Sequence, residues 1–269
     1  MPAIDGLDRV RAAERLAAAV REAGALALSM FRLPIKTWTK GGSSPVSEAD
    51  IAVDGVLRER LVGAGDGVAW MSEESADDPA RLAARQVWIV DPIDGTRAYL
   101  AGLPDWSISA ALVDDGRPVA GCLYAPVTDE FFLAVAGKGA TCNGARIATT
   151  GGATLANIRI AGPKGFLDKF AAVAPPFTMM PRVRSLALRF ARVAQGAFDI
   201  AIAGENSHDW DLAAADLLVH EAGGAMSHFE GRAVSYNRAV PRHGMLIAAG
   251  LERHAAFVDL ISERRIASA

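Results

Sequence analysis

The feature that most constrains this chain is an apolar segment that leads directly into two carboxylates. Residues 86–90 have the length and composition of a buried strand, and Asp-Pro-Ile-Asp-Gly-Thr follows at residues 91–96. Pro92 stiffens the backbone between the acids, Gly95 allows close approach to a ligand, and Thr96 is predicted to cap a short helix. Either Asp-Pro or Asp-Gly alone would indicate a simple turn. The whole hexapeptide after a buried strand instead favours a divalent metal ion beside a phosphate ester.

A pair of glutamates ends a second apolar strand. Glu73 and Glu74 directly follow the strand-like residues 68–72. Adjacent residues of a strand point to opposite faces, so at most one of the pair is expected to face the same site as Asp91. The alternative is a solvated acidic turn.

A third acid lies near the start of a predicted helix over residues 211–221. Asp211 falls within His-Asp-Trp-Asp-Leu-Ala-Ala at residues 208–214, in the first helical turn, where the helix dipole favours a carboxylate. It could equally be a plain capping acid, in competition with Asp209. Taken singly, this segment does not distinguish a ligand from a cap.

Composition narrows the class of protein. The chain has 269 residues, of which 51% are hydrophobic and 22% charged, so it can bury a substantial core. With 28 Lys plus Arg against 31 Asp plus Glu, the net charge is -3, which argues against binding a nucleic acid polymer through a general electrostatic field. Two cysteines, no basic leader and no apolar run of about 18 residues predict a cytoplasmic protein without a membrane span.

The hydrophobic patterning predicts a mixed α and β chain. The stretch 40–45 is predicted to be a mobile loop, and strands joined by short turns are expected to pair antiparallel. The segment 148–163 is the candidate boundary between two subdomains. Helices are predicted at 7–31, 47–61, 166–172, 186–195 and 211–221, and further strands at 107–113, 119–124, 130–136, 159–161 and 245–248.

The three acidic segments together resemble a known family. The order of a Glu-Glu pair, then Asp-Pro-Ile-Asp-Gly-Thr, then Trp-Asp-Leu-Ala-Ala at residues 210–214 is similar to the inositol monophosphatase family of lithium-sensitive phosphatases. That superfamily includes the 3′(2′),5′-bisphosphate nucleotidases. The resemblance implies an α+β fold layered α/β/α/β/α, a homodimer, an N-terminal subdomain at 1–150 with most metal ligands, and a C-terminal one at 151–269.

The resemblance also implies roles for individual residues in hydrolysis of a small phosphorylated metabolite with two or three Mg²⁺ ions. Oxygen ligands suit Mg²⁺, and cations must neutralise a phosphate dianion before water can attack it. The expected metal ligands are Glu73, Asp91, the carbonyl of Ile93, Asp94 and Asp211. Asp50, Thr96 and Glu73 are expected to act in catalysis. The candidate substrate-binding residues are Asp94, Gly95, Thr96, Ser185, Arg189, Glu205 and Asp211.

The alcohol part of the substrate is less constrained by the sequence. An inositol monophosphate is the expected substrate type, although Glu205 is displaced from the spacing of the acid that contacts inositol hydroxyls in the family. The alternative is adenosine 3′,5′-bisphosphate, for which Arg189, with Arg184 second, would hold the phosphate that is not cleaved. A relative that binds phosphorylated ligands without catalysis, and a structural protein whose acids are caps and turns, stay open as further alternatives.

Overall fold

The computed structural model describes residues 6–41, 44–62 and 67–264, and two β-sheets organise the described chain. The helices are α1 (Gly6–Met30), α2 (Glu48–Val62), α3 (Thr96–Leu100), α4 (Lys164–Ala171), α5 (Leu186–Ala194), α6 (Asp209–Glu221) and α7 (Leu251–Arg264). The strands of the first half are β1 (Thr37–Lys40), β2 (Ser44–Ser47), β3 (Ala69–Ser72), β4 (Gln86–Asp94), β5 (Ser107–Asp114), β6 (Arg117–Ala125), β7 (Glu130–Val135), β8 (Gly139–Cys142) and β9 (Ala145–Arg146). Those of the second half are β10 (Arg159–Ala161), β11 (Thr178–Met179), β12 (Ile200–Ala203), β13 (Ser207–His208), β14 (Gly224–His228), β15 (Arg242–His243) and β16 (Leu246–Gly250).

The first sheet has seven strands in the order in which they occur in the chain, β3 to β9. β3 pairs parallel to β4, and every later neighbour pairs antiparallel, because short turns join the strands. One face of this sheet packs against α1 and α2. α1 buries Leu16, Val20, Ala23 and Ala27, which recur at spacings of three and four residues and so form one stripe.

The second sheet has five strands in the order β11-β10-β12-β16-β14, with parallel pairing of β11, β10 and β12 and antiparallel pairing beyond. Its outer face packs against α4 and α7 through a cluster that includes Phe170, Ile202 and Phe257. α5 and α6 lie between the two sheets, and their buried side chains join a core with residues of both. The order of layers is therefore α/β/α/β/α, as the resemblance implies.

Several predicted elements need correction. Residues 37–40 and 44–47 form the antiparallel hairpin β1–β2 instead of a loop, while residues 42 and 43 of the predicted loop lie outside the described residues. β4 does not end at Val90 but continues to Asp94. Thr96 is the first residue of α3, whose cap is Gly95, so the capping role predicted for Thr96 is wrong. The helix α7 was not predicted, and the boundary near residue 150 stays a prediction.

The longest helix shows how the chain keeps charge at its surface. α1 has 25 residues, and its exposed positions include Arg11, Glu14 and Arg21 opposite the buried stripe. Across the part of the chain that the structure describes, each helix is too short or too polar to cross a bilayer.

Candidate active site

A bulge in β4 brings two acids to the same side of the sheet. Residues three apart in a regular strand point to opposite faces. Here the pairing with β5 shifts register between Asp91, opposite Ser109, and Asp94, opposite Ser107. The shift spans Pro92, which has no N–H to offer to the ladder. Both carboxylates consequently line one cavity.

Asp211 completes the acidic cluster from a different layer. It lies in the first turn of α6, and its Oδ2 accepts a hydrogen bond from the backbone N–H of His208 at 2.6 Å, which fixes the side chain. One carboxylate oxygen each from Asp91, Asp94 and Asp211 lies within 4.8 Å of the others. Oxygen atoms at this separation can share one hard cation or bridge neighbouring cations.

These acids open into a cavity of about 550 Å³. Its wall also includes the start of β2 and arginines of the segment before α5. Besides the three aspartates, the lining residues are Ser44, Pro45, Glu73, Gly95, Thr96, Arg97, Arg182 and Arg184. A wall that contains both acids and arginines suits a bound cation beside an anionic ligand.

The two adjacent glutamates face different surroundings, although both lie in a bend after the end of β3 and not in the strand itself, so the alternation of a strand is not the cause. Glu73 lines the cavity. The carboxylate of Glu74 lies 3.7 Å from Lys40 Nζ, and its side chain is 4% exposed. Lys40 also donates a hydrogen bond to the backbone carbonyl of Glu73, which ties the end of β1 to this turn.

The clustered acids hold protons more tightly than isolated carboxyls do. Burial, with repulsion from Glu74 and Asp94, raises the pKa of Glu73 to about 7. Burial and the neighbouring acids raise the pKa values of Asp91 and Asp211 well above their usual range. Without a cation, the folded protein must therefore take up protons or accept the repulsion, and a divalent ion would remove this conflict.

Asp50 and Thr96 form a hydrogen-bonded pair beside the cluster. Asp50 is buried at the start of α2, and its Oδ2 accepts hydrogen bonds from Ser47 N at 2.8 Å and Ser47 Oγ at 2.6 Å. The Thr96 hydroxyl lies 3.2 Å from Asp50 Oδ1 and 3.1 Å from the carbonyl oxygen of Ile93, and it can donate to either. The structure thus brings together three of the residues that the resemblance singles out.

Gly95 occupies a position that admits no other residue without strain. Its φ is +93°, in the left-handed region, and a Cβ there would lie 3.2 Å from both the carbonyl oxygen of Asp105 and the amide nitrogen of Ser185. A glycine therefore lets the loop before α3 pack directly against the segment that starts α5.

Three of the predicted substrate-binding residues lie outside the wall of the acidic cavity. Ser185 is fully buried, and its hydroxyl donates to Asp94 Oδ2 at 2.5 Å. Arg189 donates to the carbonyl oxygens of Val183 and Ile202 at 2.8 and 3.1 Å and lines a neighbouring cavity. Glu205 is exposed in the turn between β12 and β13. Ser185 consequently positions a predicted ligand instead of touching the cavity itself.

Residues that the sequence did not single out as site residues contribute much of the remaining wall. Arg182 and Ser44 line the cavity together with Arg184, which was the second choice for an anion-binding residue. Arg184 Nη1 is held 3.1 Å from Asp105 Oδ2. The local cluster of arginines at 182–192 was the available signal, but only the fold distinguishes those that reach the cavity from those that do not.

The raised pKa values predict how metal-free stability depends on pH. A carboxyl whose pKa is higher in the folded protein makes the protein less stable as pH rises from its unfolded pKa, about 4, to its folded pKa, because the folded state loses the extra proton. Glu73→Gln should therefore match the wild type near pH 4.5 in EDTA. At pH 8 it should be more stable by roughly 2–3 kcal/mol. Urea denaturation at both pH values measures the free energy of unfolding of the variant and of the wild type. If the variant differs from the wild type by the same amount at pH 4.5 and at pH 8, the assigned cluster is contradicted.

Comparisons with known proteins agree with this architecture. A sequence model of the inositol monophosphatase family matches residues 7–265. A histidinol-phosphatase of Mycobacterium tuberculosis is 35% identical over 80% of this chain and 86% of its own length, and an inositol-1-monophosphatase of Rhizobium meliloti is 33% identical over 71% and 75%. The crystal structure of the extragenic suppressor protein suhB from Bartonella henselae superposes with a TM-score of 0.79 at 27% identity, covering 93% of this chain and 98% of that one. The chain belongs to the inositol monophosphatase family, whose members are metal-dependent phosphatases that act on phosphate monoesters.

Proposed function

We propose that this chain hydrolyses a small phosphate monoester by attack of water in the acidic cavity, with Mg²⁺ as the cofactor. The observation that carries the proposal is the approach of Asp91, Asp94 and Asp211 to within 4.8 Å in a cavity that also presents Glu73 and the Asp50–Thr96 pair. A set of buried acids without a cation is unfavourable, whereas the same set is suited to a divalent metal.

The donor set fits Mg²⁺ by its chemistry. Glu73, Asp91, Asp94, Asp211 and the carbonyl oxygen of Ile93 offer only oxygen, which magnesium prefers and which selects against zinc. When bound, Mg²⁺ supplies positive charge that neutralises the phosphate and lowers the pKa of a bound water. The number of ions, two or three by family resemblance, stays a prediction.

Asp50 and Thr96 are proposed to activate the attacking water. Ser47 fixes one oxygen of Asp50, which leaves the other to accept the Thr96 hydroxyl proton. With its proton directed at Asp50, Thr96 Oγ1 has lone pairs available to accept a proton from a water in the cavity. As the water attacks, its proton would pass to Thr96 Oγ1 and the Thr96 hydroxyl proton to Asp50 Oδ1, so the buried carboxylate aligns the water and ends protonated.

The glycine turn is proposed to hold the phosphate. Gly95 and Thr96 line the cavity beside Asp94, and the positive φ of Gly95 allows the chain to make this turn. Backbone N–H groups at this turn would bind phosphate oxygens and keep the phosphorus in line with the water.

The alcohol part of the substrate differs between the relatives. One of the two relatives is a histidinol-phosphatase and the other is an inositol-1-monophosphatase. We propose inositol 1-phosphate as the first substrate to test. Adenosine 3′,5′-bisphosphate is the alternative, favoured by the arginines in the cavity wall. A phosphate-release panel of these two compounds with histidinol phosphate, in Mg²⁺, tests the proposal, and no release from any of them would contradict it.

The glutamate pair offers a matched test of the site. Glu73→Gln should lower kcat/KM by about 10²-fold or more, because it removes charge from the cavity wall. Glu74→Gln should have a far smaller effect, since Glu74 faces Lys40. The two variants differ by one position and have the same chemistry, so kinetics on both separates a ligand from a neighbouring acid. Equal losses would show that the wrong glutamate was assigned or that both act.

The family resemblance implies two further properties of the chain. We expect Li⁺ to inhibit phosphate release by competing for the oxygen ligands. We also expect the chain to form a homodimer. Inhibition kinetics and analytical ultracentrifugation test them separately, and neither outcome alters the assignment of the acidic cavity.

A further inference from the structure

Asp209 is a buried acid next to the metal site that the proposed function does not use. It is the first residue of α6, two positions before Asp211, and its side chain is fully buried. The two aspartates compete in the sequence as caps for this helix, and Asp211 makes the capping contact, since its Oδ2 accepts the His208 N–H. Asp209 lies outside the wall of the acidic cavity, so its burial needs another explanation.

Both oxygens of Asp209 accept hydrogen bonds from the segment that follows β14. His243 Nε2 in β15 lies 2.7 Å from Oδ1, and the backbone N–H of Asn237 donates to Oδ2 at 2.7 Å. Because a carboxylate can only accept, the His243 ring carries a proton on Nε2. The backbone N–H of Asp209 donates to the carbonyl oxygen of Pro241 at 3.2 Å. These bonds compensate the burial of the acid and attach the start of α6 to the connection between β14 and β15.

A buried arginine extends this attachment to the segment that carries Glu73. Arg81 lies in the connection between β3 and β4, residues 73–85, and its side chain is 1% exposed. Its Nη1 donates to Asn237 Oδ1 at 2.8 Å, and Asn237 Nδ2 donates to the carbonyl oxygen of Arg81 at 3.0 Å. Arg81 Nε and Nη2 donate to Asp77 at 2.5 and 2.9 Å. One set of hydrogen bonds therefore joins this connection to the start of α6.

The first turn of α6 converts the attachment into a direction for Asp211. Successive helical residues are rotated by about 100°, so side chains two positions apart leave the helix on nearly opposite sides. Because Asp209 is held on the side of the β14–β15 connection, Asp211 faces the acidic cavity. An apolar side chain could also fill the buried position, whereas a hydrogen-bonded acid additionally fixes the rotation of the turn. We call Asp209, His243, Asn237 and Arg81 the Asp209 anchor.

We propose that the Asp209 anchor is a positioning group that sets Asp211 against Glu73 at the metal site. Its members act through these two acids and contact neither the cation nor the substrate. The inference rests on the proposed function and adds residues that have no role in it so far. Loss of the anchor should weaken Mg²⁺ binding by about 10- to 100-fold, the range for groups that orient metal ligands. It should also lower kcat more than it changes KM.

The first test removes the donor to Asp209 and then restores it. His243→Leu fills the buried position without a donor, and His243→Gln places an amide nitrogen close to the position of Nε2. Isothermal titration calorimetry measures the Kd for Mg²⁺. His243→Leu should raise this Kd about 10- to 100-fold, and His243→Gln should recover most of the loss. Equal Kd values for His243→Leu and the wild type would overturn the proposal.

The second test cuts the link to Arg81 and keeps the bond to Asp209. Asn237 has a φ of +57°, so Asn237→Gly removes the side chain without backbone strain and retains the N–H that Asp209 accepts. The Kd for Mg²⁺ should rise about 3- to 10-fold, as for one hydrogen bond. Asn237→Asp retains an acceptor for Arg81 and should stay closer to the wild type. A wild-type Kd in Asn237→Gly would overturn the part of the proposal that joins Glu73 to the anchor.

Tyr236→Phe is a matched control for a general loss of stability. Tyr236 is buried, directly precedes Asn237, and donates its hydroxyl proton to Asp216 Oδ2 at 2.9 Å. Asp216 is also on α6, about two turns beyond Asp209. The control variant should lower the melting temperature and leave the Kd for Mg²⁺ within about twofold of the wild type. A rise in Kd equal to that of His243→Leu would show that any loosening of α6 has the same effect, and would overturn the proposal.

A measurement on the metal-free protein separates this inference from the proposed function. The His208 N–H donates to Asp211 Oδ2 at 2.6 Å, so its hydrogen exchange in EDTA, followed by NMR, reports whether that carboxylate is in place. Exchange should be about tenfold faster or more in His243→Leu than in Tyr236→Phe. If the wild type binds no Mg²⁺ or releases no phosphate, the proposed function fails while this comparison still decides the positioning. Equal exchange in the two variants would overturn it.

Discussion

Asp91→Asn should lower kcat/KM for phosphate release by about 10³-fold or more while raising the melting temperature of the metal-free protein. The loss of rate follows because the variant removes one charge from the group of acids proposed to hold the metal. The gain in stability follows because burial of Asp91, together with repulsion from Glu73, Asp94 and Asp211, raises its pKa well above the usual range. Steady-state kinetics in Mg²⁺ and thermal denaturation in EDTA measure the two effects.

Asp94→Asn provides the contrast. Asp94 Oδ2 accepts hydrogen bonds from Ser185 Oγ at 2.5 Å and Ala187 N at 2.7 Å, and Oδ1 accepts one from Leu186 N at 3.1 Å. An asparagine would direct its NH₂ group at one of these donors, so the start of α5 loses an acceptor. This variant should lose activity to a similar degree without the gain in metal-free stability. A rise in stability equal to that of Asp91→Asn would contradict the contacts assigned to Asp94.

Replacement of Asp91 by asparagine preserves the local hydrogen bond of this side chain. Its Oδ1 accepts the backbone N–H of Ile93 at 3.0 Å, and the amide oxygen of asparagine can accept the same bond. Unchanged activity in Asp91→Asn would show that the carboxylate is not needed for hydrolysis. A lower metal-free melting temperature would show that repulsion in the cluster is not the dominant effect of its charge.

The elements with strong local patterns could be predicted from the sequence. α1 was predicted at 7–31 and occupies 6–30, because its apolar stripe from Leu16 to Ala27 repeats at helical spacing. The hairpin of β5 and β6 was predicted from two apolar runs around an Asp-Asp-Gly turn, and Asp115 and Gly116 adopt the positive φ values that such a turn requires. Local chemistry determines these elements, so local patterns suffice.

The geometry of the acids could be predicted only in part. Their order along the chain resembles the family, but the feature that turns Asp91 and Asp94 to one side is a register shift against β5. That shift depends on a partner strand, and so no window of the β4 sequence contains it. The role of Thr96 depends on a distant contact in the same way: its hydroxyl lies 3.2 Å from Asp50 Oδ1, 46 residues earlier in the chain, and Gly95 takes the cap position.

The substrate pocket is the part that the sequence described least well. Arg189 is predicted to bind substrate, and that stays a prediction: its guanidinium bonds to carbonyls of β12 and of the segment before α5, and it lines the neighbouring cavity and not the acidic one. Arg182 lies outside regular structure, and only the packing of β10, β11 and α5 gives it two cavities to line. Specificity here depends on segments that are distant in sequence.

Removal of the metal should have the largest effect of all. EDTA should reduce phosphate release to background, and excess Mg²⁺ should restore it, because a phosphate dianion repels both the cavity acids and a hydroxide nucleophile in the absence of a cation. Mg²⁺ should also stabilise the fold, since it binds the folded cluster and not the dispersed acids of the unfolded chain. At a concentration of 100 times its Kd the gain is about 2.7 kcal/mol.

The most direct measurement is a Mg²⁺ titration of metal-free protein in which phosphate release and melting temperature are followed together. If the acidic cluster is the metal site, phosphate release and melting temperature should rise over the same range of Mg²⁺ concentration in the wild type. In Asp91→Asn, activity should stay near background and the shift in melting temperature should be much smaller. Full turnover in metal-free buffer, or an equal Mg²⁺ response in Asp91→Asn, would contradict the assignment of these acids as the centre of catalysis.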